Sequence, residues 1–304
     1  MRNLAVNFAG VSFSNPVVAA SGTYGFGREY QTYLDLNELG GICVKGLTLH
    51  PRAGNPAPRV AETPAGMLNS VGLQNPGVDA FITDELPFLR QFSPRIIANI
   101  AGNTVEEYAL MAEKLSDAGV DMLEVNISCP NVKAGGLAFG VSPQGAYAVT
   151  EAVRKKSAVP VMVKLSPNVT DIGEIAKAAQ EAGADALSLI NTLLGMRIDI
   201  ESRRPRLYNN FGGLSGPAIF PVALRMVYQA AQAVDLPILG MGGISSGPDA
   251  VEMLLAGAHL VGVGTACFVD PEAPLAVKYG ILAYLEERGI GRVSDISGKV
   301  EVYP

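Results

Sequence analysis

Eight short apolar runs, most of them followed by a stretch with helical spacing, set the limits on what this chain can fold into. The runs are Pro16–Gly22, Gly41–Thr48, Arg95–Gly102, Met122–Ser128, Pro160–Ser166, Ala186–Thr192, Pro237–Gly243 and Leu260–Ala266. Strands that alternate with helices pair in parallel, because each helix returns the chain to the same end of the sheet while covering its face. The runs are apolar almost throughout, as expected of strands buried on both faces. An open, doubly wound sheet shares this pattern, but a count of eight favours closure into a (β/α)8 TIM barrel of the α/β class. Such barrels take about 250 residues, so a chain of 304 leaves roughly 50 for insertions. One domain over residues 1–304 is expected.

The helical segments carry their own punctuation. Thr104–Gly119 opens on a capping residue, has Glu107 placed to complete a capping box, and stops at a glycine. Thr170–Gly183 and Gly247–Gly257 read the same way. Ahead of the first strand, Leu4–Phe8 and Val11–Phe13 flank Ala9-Gly10 and read as a β-hairpin placed to plug the bottom of the barrel. Three connections are long: His50–Ser93, Cys129–Ala158 and Leu193–Leu236. Each begins at the carboxyl end of a strand, the face on which such barrels carry their sites, and long loops in compact domains are usually functional.

Composition removes several classes of function. Apolar residues make up 48% and charged ones 17%, which suits a packed core. Mean hydropathy is +0.25, yet no apolar run reaches the length of about 18 that a membrane span needs. The start lacks the apolar segment of a secretory signal, so a cytoplasmic protein is expected. Net charge is −6 and no basic run occurs, which argues against nucleic acid and for a small ligand. The three cysteines, Cys43, Cys129 and Cys267, form no C-x-x-C pair, so neither an iron–sulfur cluster nor structural zinc is expected on this chain. With His50 and His259 alone, a His-based triad or metal site is poorly supported.

Polar residues gather at one end of the strands. Alternation pairs Ala19 with Ser21, Cys43 with Lys45, Ile97 with Asn99, Glu124 with Asn126, Met162 with Lys164 and Leu189 with Asn191 as inward positions. Lysines and asparagines would not be buried there without partners, because an unpaired buried polar group costs several kcal/mol. The seventh and eighth strands end in Gly240-Met241-Gly242-Gly243 and Gly262-Val263-Gly264-Thr265. Glycines let backbone N–H groups approach a ligand, and in barrels this place commonly holds phosphate; two tight turns without a ligand are the plainer reading. The glycines do not match a dinucleotide fingerprint, so no NAD site is expected on this chain. Cys129, in Asn126-Ile127-Ser128-Cys129-Pro130-Asn131, opens a loop at the reacting face and is a candidate base. Cys43 and Cys267 read as small buried hydrophobes. His50, His259 and the Arg203-Arg204-Pro205-Arg206 patch read as structural or solvated.

Asn126–Asn131 resembles the active-base segment of the class 1 dihydroorotate dehydrogenases, and Leu68-Asn69-Ser70-Val71-Gly72-Leu73-Gln74-Asn75-Pro76-Gly77 resembles their substrate loop. Ser21-Gly22-Thr23, Lys45-Gly46, Ile190-Asn191-Thr192, Leu214-Ser215-Gly216-Pro217 and the two glycine turns match in order, so the resemblance spans the chain. It implies oxidation of dihydroorotate to orotate in pyrimidine biosynthesis. It further implies FMN in contact with Ser21, Lys45, Gly46, Asn99, Asn126, Lys164, Ile190, Gly216, Gly242, Gly243, Gly264 and Thr265. Substrate is implied at Lys45, Asn69, Ser70, Val71, Gly72, Leu73, Asn126, Asn191 and Thr192, with Cys129 as the base and Lys164 stabilising the reduced flavin. Gly72–Gly77 and Lys133–Gly140 look like the NAD-linked class 1B rather than the fumarate-linked class 1A. Class 1B implies a homodimeric core in a heterotetramer whose second subunit carries FAD and a 2Fe-2S cluster. The rivals are a Schiff-base lyase or aldolase using Lys164 or Lys45, and a non-catalytic sensor of a phosphate ligand.

Overall fold

The computed structural model describes residues 2–128 and 139–303. Each expected apolar run contains one strand of a closed parallel barrel: Val17–Ala19, Gly41–Cys43, Arg95–Ile100, Met122–Asn126, Val161–Lys164, Ala186–Leu189, Ile238–Met241 and Leu260–Val263. Neighbours in the chain are neighbours in the barrel, and the eighth strand pairs with the first through Val261 and Val17. Closure rules out the open sheet. The strands are shorter than the apolar runs because pairing stops where the chain turns outward. The residues just beyond the strand ends are therefore free to arrange their side chains around the barrel mouth.

Helix Val105–Ala118 shows how the outer layer forms. Thr104 Oγ1 accepts the Glu107 N–H at 3.2 Å, and Gly119 closes the helix at φ 81°, a conformation that favours glycine. Tyr108, Met111, Ala112 and Leu115 recur at helical spacing and are buried; complete burial of a Leu or Met is worth about 1.5–3 kcal/mol. The expected capping box is displaced by one residue. The Glu107 carboxylate accepts from the Asn103 N–H at 2.6 Å and from Asn103 Nδ2 at 2.9 Å, because that residue offers two convergent donors and Thr104 only one. Helix Ile172–Glu181 starts from Asp171 rather than Thr170, with Asp171 Oδ1 accepting the Gly173 N–H. Helix Gly247–Leu255 has a full capping box between Ser246 and Asp249.

The N-terminal hairpin is present as Val6–Phe8 paired with Val11–Phe13. Ala9 and Gly10 both have positive φ, the two-residue turn that matches strand twist. Phe8 and Phe13 are buried, edge to face, with centroids 6.1 Å apart. The Phe13 ring abuts Gly41, where a Cβ would lie 2.9 Å from it, and Ser12 O accepts from Arg95 Nε. Gly41 and Arg95 begin strands, so the hairpin packs against the amino end of the barrel, the bottom, as expected.

The carboxyl end has a roof. Two of the long connections are not irregular loops: they contribute to a four-stranded antiparallel sheet of Val60–Thr63, Gly66–Asn69, Gly212–Ser215 and Leu193–Gly195. Asn69 pairs with Gly213, Leu68 with Leu214 and Met67 with Ser215. The glycines here are a packing requirement, since a Cβ on Gly66 would lie 2.0 Å from Ser215 O and one on Gly213 2.0 Å from Thr192 Oγ1. Helix Pro143–Lys156, capped by Ser142, lies within the remaining long connection. Among the described residues, no helix is long and apolar enough to cross a membrane.

Candidate active site

Register sets the site. Asn126 lies beside Lys164, and Lys164 beside Ser188, at one level of the barrel; Asn99 lies beside Glu124. The Glu124 carboxylate is completely buried and is the centre of a polar cluster. Its Oε1 accepts from Ser188 Oγ at 2.7 Å. Its Oε2 accepts from Cys43 Sγ at 3.1 Å and from Asn99 Nδ2, and lies 3.5 Å from Lys164 Nζ. Burial works to raise the Glu124 carboxyl, but the Lys164 charge and the bonds from Ser188, Cys43 and Asn99 together outweigh it and hold the group below the usual carboxylate range. Burial, and next the Glu124 charge, push the Cys43 thiol well up, so it stays a donor.

Three sequence readings change here. On the first strand Ala19 pairs with Ile42, out of phase with the inward Cys43, so Ala19 points outward. Cys43 is buried as expected, but as a hydrogen-bond donor rather than a mere hydrophobe. On the sixth strand Ser188, not Leu189, points inward, since its hydroxyl reaches Glu124; apolar residues on both faces gave the sequence no means of fixing the phase. Cys267 is buried among apolar neighbours. His259 sits before the eighth strand and accepts the Ile238 N–H, and burial lowers its pKa. His50 and the three arginines at 203, 204 and 206 are exposed.

Above the cluster lies a cavity of about 260 Å³, near the lower bound for small-ligand sites. Ser21, Lys45, Gly46, Asn99, Asn126 and Lys164 line it from the first five strands. Ile190, Asn191 and Thr192 come from the sixth, and Gly242, Gly243, Gly264 and Thr265 from the last two. The roof adds Asn69, Val71 and Leu73. Sequence reading missed the other wall residues, among them Met67, Ser215, Met241 and Phe268, because apolar and small side chains look the same in a wall as in a core.

Three expected residues do not line the cavity. Ser70 is buried with its hydroxyl accepting from Asn55 and Asn209, and Gly72 forms a turn at φ 76° where a Cβ would collide with the Asn55 amide. Gly216, at φ 99°, packs on Gly66 of the roof, whose Cα lies 2.6 Å from where its Cβ would be. Gly242 and Gly243 also have positive φ, and Gly243 is held against Gly216 O. Cys129 lies outside the described residues.

The lining is chemically polarised. Among the described residues the Lys45 ammonium has no ion-pair partner, and burial, then the nearby Arg59 charge, lower its pKa. Asn126 Oδ1 accepts from Asn191 Nδ2 at 3.2 Å, joining two amides across the wall. Asn75 fixes the roof loop by accepting from the Thr48 and Gly77 N–H groups and donating to Leu73 O. Thr265 Oγ1 donates to Ser215 Oγ at 2.8 Å and ties the eighth strand to the roof. Asn99 Oδ1 is buried with no described partner. No cluster of three metal-ligating side chains occurs among the described residues.

The family model for dihydroorotate dehydrogenase matches residues 3–285. This chain belongs to the dihydroorotate dehydrogenase family. It is 60% identical over 298 residues, 98% of this chain and 99% of the relative, to "Dihydroorotate dehydrogenase B (NAD(+)), catalytic subunit" of Alkaliphilus metalliredigens. It is 56% identical over 300 residues, 99% of each chain, to the protein of the same name from Thermoanaerobacter pseudethanolicus. A solved dihydroorotate dehydrogenase from Eimeria tenella, in complex with ferulenol, shares the fold at TM-score 0.81 and 23% identity, covering 98% of this chain and 88% of that one. The resemblance to class 1B therefore holds, and the lyase and sensor readings are not favoured for a dihydroorotate dehydrogenase.

Proposed function

We propose that this chain is the FMN-bearing catalytic subunit of an NAD-linked dihydroorotate dehydrogenase, oxidising (S)-dihydroorotate to orotate in pyrimidine biosynthesis. The observation that carries the reading is the convergence of two lysines and four asparagines on one cavity at the carboxyl end of the barrel. The donor set fits an isoalloxazine ring. Asn99 Oδ1 is a buried acceptor in need of an N–H, which a flavin pyrimidine ring offers, and Lys164 presents a cation to the same space. Gly264 lines the cavity at the usual phosphate position, where a Cβ would meet only Ala20 and Thr23, at 3.6 Å or more.

Bound FMN supplies the acceptor for the hydride that leaves substrate C6. The rest of the chemistry belongs to this chain. Lys45, without a carboxylate of its own, offsets the carboxylate of dihydroorotate. Asn69, Asn126, Asn191 and Thr192 offer the donors and acceptors that a ring with two amide groups needs. Cys129, as thiolate, takes the C5 proton, and loss of that proton with the C6 hydride leaves the C5=C6 double bond of orotate. Val60, Met67 and Val71 form an apolar roof that keeps water away from the reacting carbons. A partner subunit carrying FAD and a 2Fe-2S cluster would take the electrons onward to NAD+. The words "catalytic subunit" in the relatives' names support such a partner. A single domain, a homodimeric core within a heterotetramer and a cytoplasmic location belong to the same proposal.

Anaerobic addition of dihydroorotate to the purified protein tests it. The expected result is one FMN per chain, bleached on mixing, with one orotate formed. A protein that takes up no FMN and forms no orotate with any electron acceptor would overturn it.

A further inference from the structure

Glu124 and Lys164 are the only buried charged residues among the described residues. Lys164 lines the cavity; Glu124 does not, and lies beneath it. Every donor that Glu124 gathers is a group that a neutral acceptor would also satisfy: the Ser188 hydroxyl, the Cys43 thiol and the Asn99 amide, besides the lysine. A buried full charge is expensive, and a neutral pair of similar volume is often as stable or more so. The carboxylate is therefore poorly explained as a stabilising device. Two of its partners do reach the cavity. By accepting from Asn99 Nδ2 it turns Asn99 Oδ1 away from itself and leaves that oxygen without a described partner. By lying 3.5 Å from Lys164 Nζ it offsets a positive charge that faces the ligand space.

We propose that Glu124 is a positioning residue for the redox step: it fixes the orientation of Asn99 and offsets the charge of Lys164, so that flavin bound above them has a lower reduction potential than Lys164 alone would set. This rests on the FMN reading given above. Reduction adds negative charge to the flavin, and an uncompensated lysine would favour the reduced form. A flavin that must pass electrons toward NAD+ cannot hold them too tightly. The carboxylate limits that hold without touching the flavin, and Ser188 and Cys43 keep it in place.

The test is the midpoint potential of bound FMN, measured against a redox dye in wild type and Glu124→Gln. The variant is expected to favour reduced over oxidised FMN at least tenfold more than wild type does, a rise of about 30 mV for a two-electron couple. Glu124→Asp, which keeps the charge but draws it back from Lys164 Nζ, should also raise the potential, which keeps the proposal testable where the glutamine variant does not fold. Bound FMN with an unchanged or lowered potential on loss or retreat of the carboxylate would overturn the role of Glu124 and leave the proposed function standing. A wild-type protein that binds no FMN would overturn both.

Discussion

Replacing Gly66 by alanine should damage catalysis while leaving the barrel folded. A Cβ at this position would lie 2.0 Å from Ser215 O, 3.1 Å from Ser215 C and 3.3 Å from Gly216 Cα. Ordinary contact begins at 3.4 Å, so the two roof strands must part by the difference from 2.0 Å, about 1.4 Å. The obstructing atoms are main chain and cannot rotate aside. A shift of that size breaks the hydrogen bonds between Gly66–Asn69 and Gly212–Ser215 and pulls Ser215 away from Thr265, now bonded at 2.8 Å. Overpacking of this kind costs about 1–3 kcal/mol. None of the eight barrel strands belongs to the roof sheet, so most of the cost falls on the roof. Asn69, Val71 and Leu73, which face the cavity from the same segment, move with it, and a displacement near 1 Å can lower a rate by about 10²-fold. Stopped-flow bleaching of FMN by dihydroorotate and titration with orotate read the site; far-UV circular dichroism and thermal unfolding read the barrel. Expected are a bleaching rate down at least tenfold, weakened orotate binding, and a Tm within several degrees of wild type. A variant with wild-type rate and affinity would refute the reasoning, as would one whose barrel unfolds together with its roof.

Cys129→Ser should slow FMN bleaching by dihydroorotate at least tenfold at neutral pH, since a positioned acid–base group contributes about 10²–10⁴; an unchanged rate removes Cys129 from the mechanism. At pH 8 the native protein should show one thiol reactive toward a disulfide reagent, and none in Cys129→Ser, because Cys43 and Cys267 are buried with raised pKa values; two or more fast thiols would contradict that burial. Lys45→Met should weaken orotate binding at least tenfold, about 1.4 kcal/mol, with little change in Tm, as calorimetric titration would show. Stability should fall between about pH 9 and 12: mainly through burial, the Cys267 thiol is pushed up from 9.0 to about 12 and the Tyr30 phenol from 10.0 to about 12, so the unfolded chain loses these protons first. A denaturation midpoint in urea that does not drop from pH 8 to pH 10.5 would speak against it.

The barrel was legible because each strand is a compact apolar run, and the helix at Val105–Ala118 because Thr104 and Gly119 mark its ends. The wall of the site was legible wherever a polar residue follows an apolar run, as at Lys45, Asn99, Asn126, Lys164 and Asn191. The roof was not. Its central pairing joins residues such as Asn69 and Gly213, far apart in the chain, and Gly212-Gly213-Leu214-Ser215 has no alternation to mark it as a strand. The role of Glu124 was also missed, although a signal existed: a carboxylate inside the apolar run Met122–Ser128 has to be paired somewhere. Ser70 and Gly216 show the limit of matching by motif, for both belong to recognisable segments yet turn toward the packing of the roof rather than toward the cavity.

The hairpin under the barrel has a bearing on traffic. Phe8 and Phe13, stacked edge to face against the strand starts at Gly41 and Arg95, stopper one end of the cylinder with hydrocarbon. A small molecule bound in the cavity must therefore enter and leave by the opposite rim. Arrival and departure there share one doorway, so a second substrate has to wait until the first product has gone.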